Sequence, residues 1–110
     1  MAERNKLTES QLNKQARDVF RLVEKMYEYV FYRNHQTLGM EKGRPDWEGI
    51  IDGQFLAIEL KVKNNKLSKD QEKQRERIMK AGGLWFTCYS IEEVVAALQR
   101  FNIKNIEIAA

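Results

Sequence analysis

Two apolar runs meet at an Asp-Gly pair in the segment Gly43-Arg44-Pro45-Asp46-Trp47-Glu48-Gly49-Ile50-Ile51, Asp52-Gly53, Gln54-Phe55-Leu56-Ala57-Ile58-Glu59-Leu60-Lys61-Val62-Lys63. Asp-Gly is a strong two-residue hairpin signal, because both turn positions must tolerate positive φ. A two-residue loop fixes the register, so Ile51 faces Gln54, Ile50 faces Phe55 and Gly49 faces Leu56. Carried to the far end, the same register sets Asp46 opposite Glu59. Directly opposed residues have Cβ atoms roughly 5 Å apart on one face. Lys61 follows Glu59 by two positions and shares its face by strand alternation. Leu56, Ile58, Leu60 and Val62 point the other way, into the expected core. The first face, with Phe55, Ala57, Glu59, Lys61 and Lys63, grows more charged toward its end, as at the mouth of a site.

A Glu-x-Lys on a strand is by itself weak, since most such pairs are surface ion pairs that contribute little. The opposed Asp46 is more telling, because two facing carboxylates repel unless a cation or a proton intervenes. A hard divalent ion resolves that repulsion, and Mg²⁺ takes one or two carboxylates plus waters and substrate phosphate. It polarises a phosphate and acidifies a bound water. A nearby lysine orients the attacking water or stabilises charge on the phosphate. Two acids and a lysine on one sheet face therefore point to phosphodiester hydrolysis.

Outward from the hairpin, the elements punctuate themselves. Upstream, Thr8-x-x-Gln11 forms a capping box with Leu7 and Leu12 placed as a hydrophobic staple. Leu12, Ala16, Val19, Phe20, Val23, Met26 and Tyr27 then recur at helical spacing, which predicts an amphipathic helix from residue 9 to about 27. Tyr29 to Arg33 is aromatic and β-branched and predicts a strand, followed by a loop from Asn34 to Arg44. Downstream, Asn64-Asn65-Lys66 reads as a turn and Ser68-x-x-Gln71 caps a second helix that stops at Gly82-Gly83. Leu84 to Tyr89 reads as a buried strand, and Ser90-x-x-Glu93 caps a third helix to about Arg100. Ile103 to Ile108 alternates as a final short strand. The order α-β-β-β-α-β-α-β predicts an α/β domain, a mixed sheet flanked by helices in the α+β manner.

At 110 residues one domain, spanning 1–110, is expected. No apolar run reaches membrane-spanning length, and the polar opening Met1 to Lys6 is not expected to act as a secretory leader. The lone Cys88 lies in a strand-like apolar run and is expected to be a buried, reduced thiol in a cytoplasmic protein. Net charge is +3, but its distribution is uneven. Lys61, Lys63, Lys66, Lys69, Lys73, Arg75, Arg77 and Lys80 face only Asp70, Glu72 and Glu76 over the same stretch. A phosphate backbone would be drawn to that excess. A solvated helix face explains it as well.

Pro45-Asp46 followed by Glu59-Leu60-Lys61 resembles the PD-(D/E)XK nuclease signature, the restriction-endonuclease-like core. The wider pattern is similar to the virus-type replication-repair nuclease (VRR-NUC) family in its compact, stand-alone phage or viral form. The resemblance runs from Glu9 through Arg33-Asn34, Gly43 to Asp46 and Gly53 to Lys61, and on through Leu67-Ser68-x-x-Gln71, Ala81-Gly82-Gly83 and the Ser90 to Leu98 helix. It implies a DNA endonuclease dependent on Mg²⁺ or Mn²⁺, with Asp46, Glu59 and the Leu60 carbonyl as metal ligands and Lys61 as the catalytic lysine. Gln71 matches the family's helix glutamine near the scissile phosphate, although it is also the capping partner of Ser68. Glu9 matches an N-terminal acid that holds a second metal or a water, although a negative charge in a first helical turn is favourable on its own. Lys63, Lys66, Lys69, Arg75 and Arg33 are the candidate DNA contacts, with a solvated strand end the other account of Lys63. Stand-alone members resemble Holliday-junction resolvases and act as homodimers, as two symmetric cuts on a four-way junction require. A restriction-like or flap and single-strand nuclease, or an inactive DNA-binding module, are the alternatives. His35 stays outside the catalytic set.

Overall fold

Asp52 and Gly53 close the hairpin with φ of 50° and 76°, the paired positive values that the Asp-Gly sequence anticipates. The computed structural model describes residues 7–35 and 41–101. β2 (Trp47–Ile51) and β3 (Gln54–Leu60) pair antiparallel from Ile51↔Gln54 to Trp47↔Ile58, in the register that the turn dictates. β1 (Val30–Arg33) adds antiparallel to β2. The chain leaves β3 through α2 (Lys69–Lys80) and returns as β4 (Leu84–Cys88), parallel to β3. The sheet order is β1-β2-β3-β4, so β3 is central, and β3-α2-β4 is the crossover that a parallel pair requires.

α1 (Glu9–Met26) and α3 (Ile91–Gln99) cover one face of the sheet. Leu12, Ala16, Phe20 and Val23 of α1 meet Phe31, Trp47, Ile51, Leu56, Ile58 and Leu60 of the strands and Val94 and Leu98 of α3 in one buried cluster. Phe20 stacks on Phe31 with centroids 4.4 Å apart. α2 lies on the opposite face, where a Cβ on Gly83 would meet Ile78 and Phe55 side chains. Each helix starts at its expected cap. Gln11 N–H donates to Thr8 Oγ1 (3.1 Å) while Thr8 N–H donates to Gln11 Oε1 (2.9 Å). The same reciprocal box forms at Ser68 and Gln71. At α3, Glu93 N–H donates to Ser90 Oγ (3.2 Å), but the Glu93 carboxylate reaches Tyr89 N–H (2.9 Å) instead of closing a box. Such caps contribute about 1 kcal/mol each.

Three expectations change. The face of β3 that carries Ala57 and Glu59 is buried, at 0% and 3% exposure, because α2 covers it, so β3 is enclosed on both sides. The strand stops at Leu60, and Lys63 sits in a turn with φ of 56°, where Asn65 N–H donates to Val62 O (3.2 Å). Lys63 is therefore off the strand face. β1 starts at Val30, one residue later than expected. The strand expected at 103–108 lies outside the described residues. No helix among them is long and apolar enough to cross a membrane.

Candidate active site

Pro45 creates the site by ending a ladder. Trp47↔Ile58 is the last pair of the hairpin. Hydrogen-bonded pairs alternate in an antiparallel ladder, so 45 opposite 60 would be the next to exchange backbone bonds. Pro45 has no N–H to give. The chain instead completes the crossing with side chains. Leu60 N–H donates to Asp46 Oδ2 (2.8 Å), and Asp46 N–H donates to Glu59 Oε1 (3.1 Å). Each acid thus ties the other acid's strand, and the two carboxylates converge without forming a ladder pair. From β1, Asn34 N–H donates to Asp46 O (2.8 Å) and Asn34 Nδ2 donates to Pro45 O (2.9 Å), which fixes the Pro-Asp step from its other side.

Two cations and an amide surround the pair. Lys61 Nζ lies 3.6 Å from Glu59 Oε2, and Lys61 N–H is held by Cys88 O at 3.0 Å. Gln71 Nε2 donates to Glu59 Oε2 at 2.8 Å. Arg33 Nη1 lies 3.5 Å from Asp46 Oδ1 and donates to the Asp46 carbonyl at 3.2 Å and to Asn34 O. Hydrogen bonds to charged acceptors contribute about 1.5–3 kcal/mol each, yet desolvation wins at both acids. Burial, reinforced by Asp46, pushes Glu59 up to about 7, against Lys61 and the Asp46 N–H; Glu9 adds to the rise. Burial likewise raises Asp46, opposed first by the Leu60 N–H and then by Arg33 and Lys61. Burial and then Glu93 push the Cys88 thiol up to about 12, which removes it from nucleophilic chemistry.

Asp46, Glu59, Lys61 and Gln71 are therefore brought together as expected. Glu9 is exposed at the start of α1, near enough to act on Glu59 through space. Among the described residues no group of three or more His, Cys, Asp or Glu assembles to hold a metal ion. The donor set is instead two desolvated carboxylates plus the Leu60 carbonyl, which projects to the same strand edge as the Leu60 N–H that Asp46 accepts. That set fits a hard cation that completes its shell with water and phosphate, as Mg²⁺ does. Lys63, Lys66, Lys69 and Arg75 are exposed. His35 is exposed too, and it carries no part of the cluster. Arg33, a candidate DNA contact from the sequence, lies against Asp46 in the fold. The available signal was register, since Arg33 pairs with Trp47, next to Asp46. Gly43, part of the matched stretch but given no role by the sequence, has one in the fold: a Cβ there would lie 2.2 Å from Asp70 O, so the Pro-Asp loop seats directly on the first turn of α2.

The fold is thus a mixed four-stranded sheet with an acid pair and a lysine at the open end of its central hairpin. Two solved structures share the architecture. One, titled "VRR_NUC domain", is 24% identical over 83% of this chain and 94% of its own, with a TM-score of 0.66. The other, a "VRR_NUC domain protein", is 18% identical over 94% of this chain and 98% of its own, with a TM-score of 0.68. No family model matches the sequence and no curated protein matches it. The chain has the fold of VRR_NUC domains.

Proposed function

We propose that this chain is a VRR-NUC-type nuclease that hydrolyses phosphodiester bonds in DNA with Mg²⁺ or Mn²⁺. The observation that carries the proposal is the buried Asp46–Glu59 pair, cross-tied through backbone N–H groups and flanked by Lys61. A protein that only needed a closed hairpin would not hold two carboxyls above their ordinary range. Such perturbed acid pairs gather at functional sites. Asp46, Glu59 and the Leu60 carbonyl are the proposed metal ligands, with Glu9 a further proposed donor through a water or a second ion. A bound divalent ion supplies Lewis-acid polarisation of the phosphate and an acidified water. Lys61 stabilises charge that develops on the phosphate. The exposed Lys63, Lys66, Lys69 and Arg75 hold the DNA backbone.

The finer proposal is a homodimeric, structure-selective endonuclease of the Holliday-junction resolvase type, acting in the cytoplasm of its cell or host. Labelled four-way junction, flap, duplex and single-stranded DNA, each with Mg²⁺ or chelator and alongside Lys61→Ala, test both levels. Symmetric paired nicks confined to the junction support resolution, and a dimer by light scattering supports the two-site arrangement. Cleavage of flap, plain duplex or single strands alone removes the resolvase proposal. Binding without cleavage leaves a DNA-binding module, and metal-independent cleavage removes the metal.

A further inference from the structure

We propose that Gln71 is a positioning residue for Glu59, and that the α2 capping box decides which end of its side chain Glu59 meets. Ser68 N–H is a donor with no acceptor character, so the group it meets at 2.8 Å must be Gln71 Oε1. The amide is thereby oriented, and its NH₂ end is the one that meets Glu59 Oε2 at 2.8 Å. Ser68 Oγ closes the box by accepting Gln71 N–H at 3.1 Å. The box itself does not require glutamine, because glutamate serves equally well at this helix position. α3 carries Glu93 at the equivalent place, although there the carboxylate accepts the N–H of Tyr89 and not that of the cap residue Ser90. A glutamate at 71 would keep the box and set a third carboxylate against Glu59.

α1 supplies an internal comparison. Gln11 makes the same two box bonds with Thr8, but it is exposed and meets no acid among the described residues. The first turn of α2 is also anchored from outside. A Cβ on Gly43 would come within 2.2 Å of Asp70 O and 2.8 Å of Gln71 N, Gln74 Nε2 donates to Lys42 O (3.4 Å), and Arg77 pairs with Glu41. The segment that fastens α2 is the one that reaches Asp46 three residues after Gly43. Loop, helix and both acids are thus tied into one unit, with Gln71 the link to Glu59. The effect on catalysis rests on the phosphodiesterase proposal; the orientation of the amide does not.

Two measurements test this. In NMR spectra of the ¹⁵N-labelled, metal-free protein, one Gln71 side-chain amide proton is expected downfield of both Gln11 amide protons. It moves back in Glu59→Ala, while the Ser68 backbone amide holds its position. Gln71 protons indistinguishable from those of Gln11, or unmoved in Glu59→Ala, overturn the proposal. On the DNA that the wild type cleaves, Gln71→Glu is expected to lower kcat about 10- to 100-fold with KM for DNA unchanged, the usual loss when an outer-shell partner is replaced. Gln11→Glu keeps the wild-type rate, and Ser68→Ala keeps it despite a lower melting temperature, because the Ser68 backbone N–H remains. Rates that follow melting temperature across the set, a Gln71→Glu enzyme as fast as Gln11→Glu, or a rise in KM alone also overturn it. A wild type that cleaves nothing defeats the nuclease proposal while the NMR result still decides the role of Gln71.

Discussion

Raising the pH of the metal-free protein from 5 to 8 is expected to destabilise it, opposite to the usual behaviour of a salt-bridged acid. Glu59 is held at about 7 in the fold against an ordinary value of 4.5. Between those values the folded state binds more protons than the unfolded one, so stability falls as pH rises. A shift of that size corresponds to about 3 kcal/mol, since one unit is about 1.4 kcal/mol. For a domain of this size that is roughly 10–20 °C in melting temperature. Asp46 is raised as well and adds in the same direction. A divalent cation that binds the pair must displace the Glu59 proton, so its stabilising effect should be large at pH 8 and weak at pH 5. The assay is thermal unfolding in chelator and in Mg²⁺ across pH 5 to 8, with Glu59→Gln as the variant that removes the titration. A melting temperature in chelator that is flat or rises over this range would refute the reasoning. So would Mg²⁺ stabilisation that is equal at both ends, or a slope that survives in Glu59→Gln.

Further expectations follow from the same geometry. Lys61→Ala should keep DNA binding and lose cleavage by about 10²–10³-fold, as removal of one preorganised charge-stabilising group does; a loss of binding with cleavage of bound DNA intact would contradict its role. Gly43→Ala should cost about 2 kcal/mol or more in urea unfolding, because φ is 85° and the new Cβ meets the α2 backbone; a neutral result would show that the loop does not seat on α2 as described. Cys88 should resist thiol reagents in the native protein and react on unfolding, given its burial and a thiol pushed up to about 12; fast native labelling would count against the buried strand.

The hairpin was legible because its determinants are local. Asp52-Gly53 admits few turns, and a two-residue turn leaves one register, which brought Asp46 and Glu59 together before any tertiary contact was known. The three helix starts were legible for the same reason, since Thr8, Ser68 and Ser90 each serve a backbone within three residues. What escaped depended on partners distant in sequence. The burial of Glu59 comes from α2, a helix so polar that Gln74 is its one buried residue, and in β3 only the apolar Phe55 and Ala57 on the same face hint at that cover. The cross-tied acids follow from a donor that Pro45 lacks, visible only once the ladder pair 45 and 60 is in place. Gln71 was legible as a cap and as a match to a family motif, but its simultaneous bonds to Ser68 and Glu59 need the height of α2 above the sheet.

In the proposed nuclease, Asp46 and Glu59 together hold one kind of ligand, a hard divalent cation. Mn²⁺ titrated into the protein at pH 8 and followed by electron paramagnetic resonance tests it without any choice of DNA. Saturable binding that is lost in both Asp46→Asn and Glu59→Gln, while both variants stay folded, is the predicted result. No saturable binding in the wild type, or binding that persists in either variant, would contradict it.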